Sequence, residues 1–189
     1  MLDRQRRRFW GLAFASACAL GLLLRLSLAP AGRPVDDKRG WLSGWFEPPT
    51  APAVSYPLID GQRLRQQDLL GKVVLVHFWA TSCSVCVREM PALVALHERL
   101  APRGYAMVAV AMAYDRPDFV LHFARTQALP FSVALDLNGE LARAFAPITG
   151  TPSSVLVSAQ GQVIRRWEGE PASWGELEQF IESRLPPRS

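Results

Sequence analysis

Cys83 and Cys86 stand two residues apart in "HFWATSCSVCVREMP" (77–91), where an apolar run ends and a helical pattern begins. Thiols at this spacing can hold a metal, brace the chain or exchange electrons. Tetrahedral zinc wants four ligands, usually two such pairs or one pair with two nearby histidines. This chain has one pair, a third cysteine far upstream at Cys18, and three scattered histidines, His77, His97 and His122. A brace that closes a two-residue loop restricts the unfolded chain little. Electron exchange explains more of the context. If Cys83 lies just past a strand and Cys86 in the first turn of the following helix, Cys83 faces free backbone N–H groups and the positive end of the helix dipole. That setting lowers a thiol pKa and makes Cys83 the attacking thiolate. Attack on a substrate disulfide gives a mixed disulfide, which Cys86, held beside it and less exposed, resolves.

The flanking elements suit that arrangement. "KVVLVHFWA" (72–80) is a valine-rich apolar run too short for a typical helix, so it reads as a strand buried on both faces. After the cysteines, Met90, Leu93, Val94, Leu96 and Leu100 keep helical spacing as far as the stop signal at Gly104, with Pro91 expected to kink the helix. "YAMVAVAMA" (105–113) and "FSVALD" (131–136) read as further core strands, with a helix between them over "RPDFVLHFARTQAL" that has Pro117 in its first turn. "NGELARAFA" (138–146) reads as a short helix capped by Asn138, and "PSSVLVSAQGQVIRRWEGE" as two strands about a turn at Gln160 and Gly161. A final helix starts at Ser173, with Glu176 in capping-box spacing and Leu177, Phe180, Ile181 and Leu185 on one face. Upstream, "YPLIDGQRLRQQDLLGK" gives two short segments about an Asp60–Gly61 turn. Strands alternating with helices and closing on a hairpin plus helix predict an α/β fold with a mixed central sheet flanked by helices.

Composition bounds the rest. The chain has 189 residues, is 49% hydrophobic and carries a formal charge of +4, enough for one domain with a real core plus appendages. Arg4, Arg6, Arg7 and Arg8 crowd the N-terminus, while the other basic residues are interspersed with acids, so no nucleic-acid stripe emerges. The next stretch, Phe9 to Ala29, holds one charge, Arg25, and as a helix would cover roughly 30 Å, the hydrocarbon core of a bilayer. Residues 1–29 are therefore expected to form an N-terminal transmembrane helix or signal anchor. The arginines hold its start in the cytoplasm and everything after it is delivered across the membrane. The alternative is a cleaved secretory signal, for which "SLA" (27–29) and "APA" (29–31) provide small residues. The run is long for a signal and Pro30 follows the first candidate site, which favours the anchor. Cys18 reads as a small apolar residue within it. Residues 30–53, rich in Pro, Gly and charge, read as a linker, and 54–187 as the domain. Trp41, Trp45 and Phe46 could rest at the bilayer interface or on the domain edge.

"VVLVHFWATSCSVCVREMPAL", with the "DLLGKVVLV" entry and the late "GTPSSVLVSAQGQVIRRWEG", resembles the thioredoxin superfamily, and within it the bacterial membrane-anchored TlpA/ResA/DsbE-like thiol:disulfide oxidoreductases. The resemblance extends over residues 54 to 185. It implies a thioredoxin fold, Cys83 as nucleophile, Cys86 as resolving thiol, and a cis peptide at Thr151–Pro152 facing the pair. Thr151 and Pro152 would then offer a strand edge to an extended substrate. Pro91 matches the family's helix-kinking proline. Glu89 matches a glutamate that tunes the thiols and relays protons; a solvated helix acid is the plain alternative. The resemblance also implies no cofactor and no resident metal. It points to protein substrates carrying disulfides or thiols, and to a periplasm-facing domain on a single-pass inner-membrane anchor. The implied direction is reductive, with a membrane electron donor resembling DsbD or CcdA. Implied clients are cysteines awaiting haem in cytochrome c or copper in an oxidase subunit.

Some positions depart from the pattern. His77 stands where thioredoxins carry a buried Asp and this subfamily often an Asn; it reads as a hydrogen-bonded core side chain or as an acceptor of the Cys86 proton. Ser82 replaces the tryptophan common before the first cysteine, and Ser84–Val85 is an unusual dipeptide between thiols, so potential is not fixed by sequence. Phe78, Trp79 and Phe131 read as core, and Trp167 and Trp174 carry no implied chemistry. A Cu(I)-binding metallochaperone on the same fold is the rival reading, since soft thiolates favour that ion. Such chaperones usually space their cysteines by three and add a distal histidine. A peroxidase lacks its expected Pro and Thr framing of Cys83, and a purely structural tethered module predicts that losing either cysteine changes only stability.

Overall fold

The computed structural model describes residues 48–187. The anchor expected over residues 1–29, with Cys18, and the linker aromatics lie outside the described residues; among those described, no helix is long and apolar enough to cross a membrane.

A five-stranded mixed sheet runs in the order β5-β4-β3-β6-β7. At its centre is β3 (Val73–Trp79), buried along its whole length as its unbroken apolar sequence predicts. It pairs in parallel with β4 (Tyr105–Ala111), which pairs in parallel with β5 (Ser132–Leu135). On its other side β3 pairs antiparallel with β6 (Ser153–Val157), followed by β7 (Val163–Glu168). A small antiparallel hairpin, β1 (Ser55–Pro57) and β2 (Arg63–Arg65), precedes the sheet, and its turn is closed by the Gln62 N–H donating to Asp60 Oδ1 at 2.9 Å.

Side chains alternate across the sheet and build two cores. On one face Val73, Leu75 and Trp79 pack with Met107 and Leu156 beneath α1 (Ser84–Leu100), α2 (Pro117–Thr126) and α4 (Trp174–Glu182). On the other, Val74, Val76 and Phe78 meet Tyr56, Leu69, Val155 and Phe145, with α3 (Glu140–Ala144) and the hairpin as cover. Helix α1 buries Cys86, Glu89, Met90, Leu93, Leu96 and Leu100 at three- and four-residue spacing and continues past Pro91. It ends in a 3₁₀ turn, Ala101–Arg103, stopped by Gly104 at φ 90°. In α4 the Ser173 hydroxyl accepts from the Glu176 N–H at 3.3 Å, and Leu177 and Ile181 are the residues it buries.

One local expectation changes. Asn138 does not cap α3; its N-cap position is Gly139 at φ 69°, a left-handed conformation natural to glycine. The carboxylate that receives the free N–H groups is the buried Asp136, accepting from Leu141 and Ala142 at 2.9 Å each. A side chain from the preceding strand end reaches those donors more directly than Asn138, whose carbonyl instead accepts from Arg143. Residues counted with the linker are also tied to the sheet: Thr50 bridges Gln162, and the Ala51 N–H donates to the Gly161 carbonyl at 2.8 Å.

Candidate functional site

The parallel strands β3 and β4 end side by side, at Trp79 and Ala111, and β6 begins at the same rim, where Ser153 pairs with Phe78. Three loops therefore meet there: 80–83 after β3, 112–116 after β4, and 149–152 before β6. Carboxyl ends of parallel strands are where open α/β sheets gather their chemistry.

Cys83 is the N-cap of α1, with extended backbone (φ −89°, ψ 104°), and Cys86 lies in its first turn. The two form a disulfide with Cα atoms 5.2 Å apart. Their environments differ. Cys86 is fully buried, whereas Cys83 is partly exposed and its Sγ accepts a hydrogen bond from the Cys86 N–H at 3.2 Å. An N-terminal helix amide aimed at sulfur stabilises a thiolate there once the bond opens. The strand-to-helix placement expected from sequence is thus what the structure shows.

The Thr151–Pro152 peptide is cis, as is Ala146–Pro147. The Thr151 carbonyl oxygen lies 3.6 Å from Cys83 Sγ, so the backbone before Pro152 borders the exposed sulfur. Pro152 itself is buried, and its carbonyl accepts from the Gly169 N–H at 2.8 Å. The Ser153 hydroxyl donates to the Gly150 carbonyl at 2.6 Å, fixing the loop from its other side.

The loop after β4, which sequence reasoning passed over, joins both edges of this site. Asp115 accepts from the Thr81 N–H at 2.5 Å and from the Thr81 hydroxyl at 2.6 Å, tying it to the loop that carries Cys83. The hydroxyl of the neighbouring Tyr114 is 3.0 Å from Thr151 Oγ1, and its side chain is 63% exposed. An aromatic ring thus stands at the rim although Ser82 lacks one. The only signal in sequence was a polar pair, Tyr-Asp, directly after a core strand.

Behind the disulfide, Glu89 is 2% exposed, so it is not a solvated helix acid. Its Oε1 lies 3.2 Å from Nε2 of the equally buried His77, whose Nδ1 is 2.9 Å from Ser154 Oγ. His77 is a hydrogen-bonded core side chain, and it also touches the carboxylate. Neither other histidine approaches the thiols. His97 packs tilted against Tyr105 and edge-on against Phe131, with ring centroids 5.9 and 5.6 Å away, and lies eleven residues along α1 from Cys86, about 16 Å at the helical rise. His122 sits on α2. Among the described residues, no group of three or more His, Cys, Asp or Glu side chains is arranged to hold a metal ion.

Residues 49–166 match the model of the AhpC/TSA family. The chain is 30% identical over 129 residues to the thiol-disulfide oxidoreductase ResA of Bacillus thuringiensis subsp. konkukian, covering 68% of this chain and 72% of that one. It is 24% identical over 166 residues to ResA of Bacillus subtilis, covering 87% and 86%. Among solved structures it is similar to a thiol:disulfide interchange protein of the thioredoxin family from Chlorobium tepidum, with TM-score 0.67 and 29% identity over 74% of this chain and 97% of that chain. The mixed sheet, the helix-capping cysteine pair and these relatives agree: the chain belongs to the AhpC/TSA family, has the thioredoxin fold, and is a thiol–disulfide oxidoreductase.

Proposed function

We propose that this enzyme reduces protein disulfides outside the bacterial cytoplasmic membrane, held there by residues 1–29 as a single-pass anchor with the catalytic domain in the periplasm. The observation that carries the exchange roles is the asymmetry of the pair: a partly exposed Cys83 beside the Thr151 carbonyl and a buried Cys86 behind it. Cys83 attacks the client disulfide, expelling one client thiolate. Cys86 then attacks Cys83 Sγ and releases the second, so the client gains two electrons and the enzyme becomes the disulfide. Thr151 and Pro152 present a strand edge to an extended client segment, with Tyr114 as its aromatic wall. Glu89, one turn from Cys86, handles the proton of the resolving thiol.

The reductive direction has physical support. Among the described residues, no Lys, Arg or His donates a hydrogen bond to Cys83 Sγ; its contacts are backbone groups. A pair becomes strongly oxidising when its dithiol form is heavily stabilised, and backbone contacts alone stabilise the Cys83 thiolate less than a cationic side chain would. A reductase in an oxidising compartment must be recharged, which calls for a membrane electron donor resembling DsbD or CcdA. Apocytochrome c cysteines and copper-oxidase cysteines are the fitting clients.

Trapping in cells tests the reading. Full-length Cys86→Ala should accumulate mixed disulfides through Cys83 on non-reducing gels, and Cys83→Ala should accumulate almost none. Protease added outside spheroplasts should digest the domain. Absence of any trapped client, or a domain protected from protease, would overturn the proposal.

A further inference from the structure

Among the described residues, two buried polar atoms face each other across 3.2 Å, His77 Nε2 and Glu89 Oε1, and neither makes a well-aligned hydrogen bond, even to the other. Both side chains are at least 98% buried, at 1% and 2% exposure. Burying an unpaired carboxylate is costly, and a neutral pair that shares a proton is far less so. The surroundings hold that pair in place. On β3, His77 shares a face with Leu75 and Trp79; its register neighbours are Ala109 on β4 and Ser154 on β6. On α1, Glu89 shares a face with Met90 and Leu93 and lies three residues from Cys86, a spacing that leaves about 5–6 Å between Cβ atoms. From α4 the buried residues are Leu177 and Ile181. Among the described residues, Glu89 is the titratable group in contact with the imidazole, the Ser154 hydroxyl sits on the far nitrogen, and the cysteine pair lies one turn along α1 from Glu89.

We propose that His77 is a positioning residue for the resolving step: it shares the Glu89 proton, so that the His77–Glu89 pair, rather than an isolated carboxylate, receives the Cys86 proton. This rests on the exchange roles assigned above. In the accepting form the imidazole is neutral, takes the Ser154 hydroxyl on Nδ1 and turns its Nε2–H toward the ionised Glu89 carboxylate; the neutral pair is the form reached after the proton is taken. When Cys86 loses its proton to the pair, the imidazole and carboxyl carry it between them, and Ser154, which can donate or accept, follows the ring. The Cys86 thiolate forms the bond to Cys83 Sγ and the client sulfur leaves with the electron pair, so one negative charge passes from the Glu89 carboxylate to Cys86 and out with the client, and the His77–Glu89 pair is left neutral with the proton. One residue on the central strand is thereby linked to the chemistry of a helix it does not belong to.

The test uses the full-length reduced enzyme and dithiobis(nitrobenzoate), an aromatic disulfide whose thiolate product absorbs visible light. Attack by Cys83 releases one thiolate and resolution by Cys86 a second, so the two steps appear as separate phases. With His77→Asn, the second phase should slow roughly tenfold or more at pH 7 and its pH inflection should shift, while the first phase stays within about twofold. Glu89→Gln should do the same, and the double variant should lose no more than either single one, because the pair acts as a unit. Ser154→Ala, a smaller change, should slow the second phase in the same direction and secures the test if His77→Asn folds poorly. A second phase with unaltered rate and pH profile in His77→Asn or Ser154→Ala, or losses that multiply in the double variant, would overturn the proposal. Absence of the first phase in the wild-type enzyme would instead strike at the exchange roles themselves.

Discussion

The Cys86 amide donates to Cys83 Sγ across 3.2 Å, so the backbone of the buried cysteine supports the sulfur of the more exposed one. The same turn buries the Cys86 sulfur completely. In the reduced enzyme, iodoacetamide should therefore alkylate Cys83 at least about tenfold faster than Cys86 at neutral pH. Peptide mass spectrometry of briefly treated protein reads the ratio; equal labelling would remove the basis for separate roles.

Tyr114 is 63% exposed, and among the described residues its hydroxyl meets one polar partner, Thr151. Tyr114→Ala should leave stability within about 0.5 kcal/mol of wild type, as surface changes do. It should nevertheless raise the KM for a disulfide-bonded peptide, with Tyr114→Phe close to wild type if the ring supplies the wall. Thermal melts and peptide-reduction kinetics on the same samples separate the two effects.

Asp115 receives two donors from Thr81 and so couples the loop after β4 to the loop before Cys83. Asp115→Ala should lower stability by about 1.5–3 kcal/mol, the range for losing hydrogen bonds to a charged group. Exchange activity should fall further than the melt accounts for, because the cysteine loop loses its tether. Denaturant titration and single-turnover reduction would show this.

Asp136, not Asn138, satisfies the start of α3, which gives a clean pair of variants. Asp136→Ala should cost about 1–3 kcal/mol, and Asn138→Ala should stay within about 0.5 kcal/mol. Urea unfolding of the two measures the contrast.

These residues also show what could be read from sequence. The unbroken apolar runs of β3 and β4, the three-and-four spacing of α1 and the Ser173 cap are local patterns, and they reappear at the expected places. Cys83 at a helix start follows from the same local logic. Asp136 reaches its helix across a turn, Asp115 and Tyr114 act across 34 and 37 residues of chain, and Ser154 meets His77 across 77. Spacing carries no trace of such contacts, because sheet register creates them. The pairing of His77 with Ser154 exists only once β3 and β6 are aligned antiparallel.

His97 gives a pH prediction away from the site. Burial lowers its pKa below the ordinary 6.5, against opposing pulls from Glu98 and the Pro130 carbonyl. The folded state therefore favours the neutral ring. That contribution is complete above pH 6.5 and is lost as pH falls from there through the lowered folded value. His97→Leu should flatten this part of the stability profile, so wild type should weaken relative to the variant on acidification from pH 6.5. Chemical denaturation across that range checks the sign.

The reductive role stands or falls on the reduction potential of the Cys83/Cys86 couple, read by equilibrating the enzyme with glutathione and dithiothreitol buffers and counting alkylated thiols. A periplasmic reductase requires one reversible two-electron transition at a potential below the glutathione couple. A strongly oxidising couple, or a pair that fails to exchange across the buffers, would contradict it.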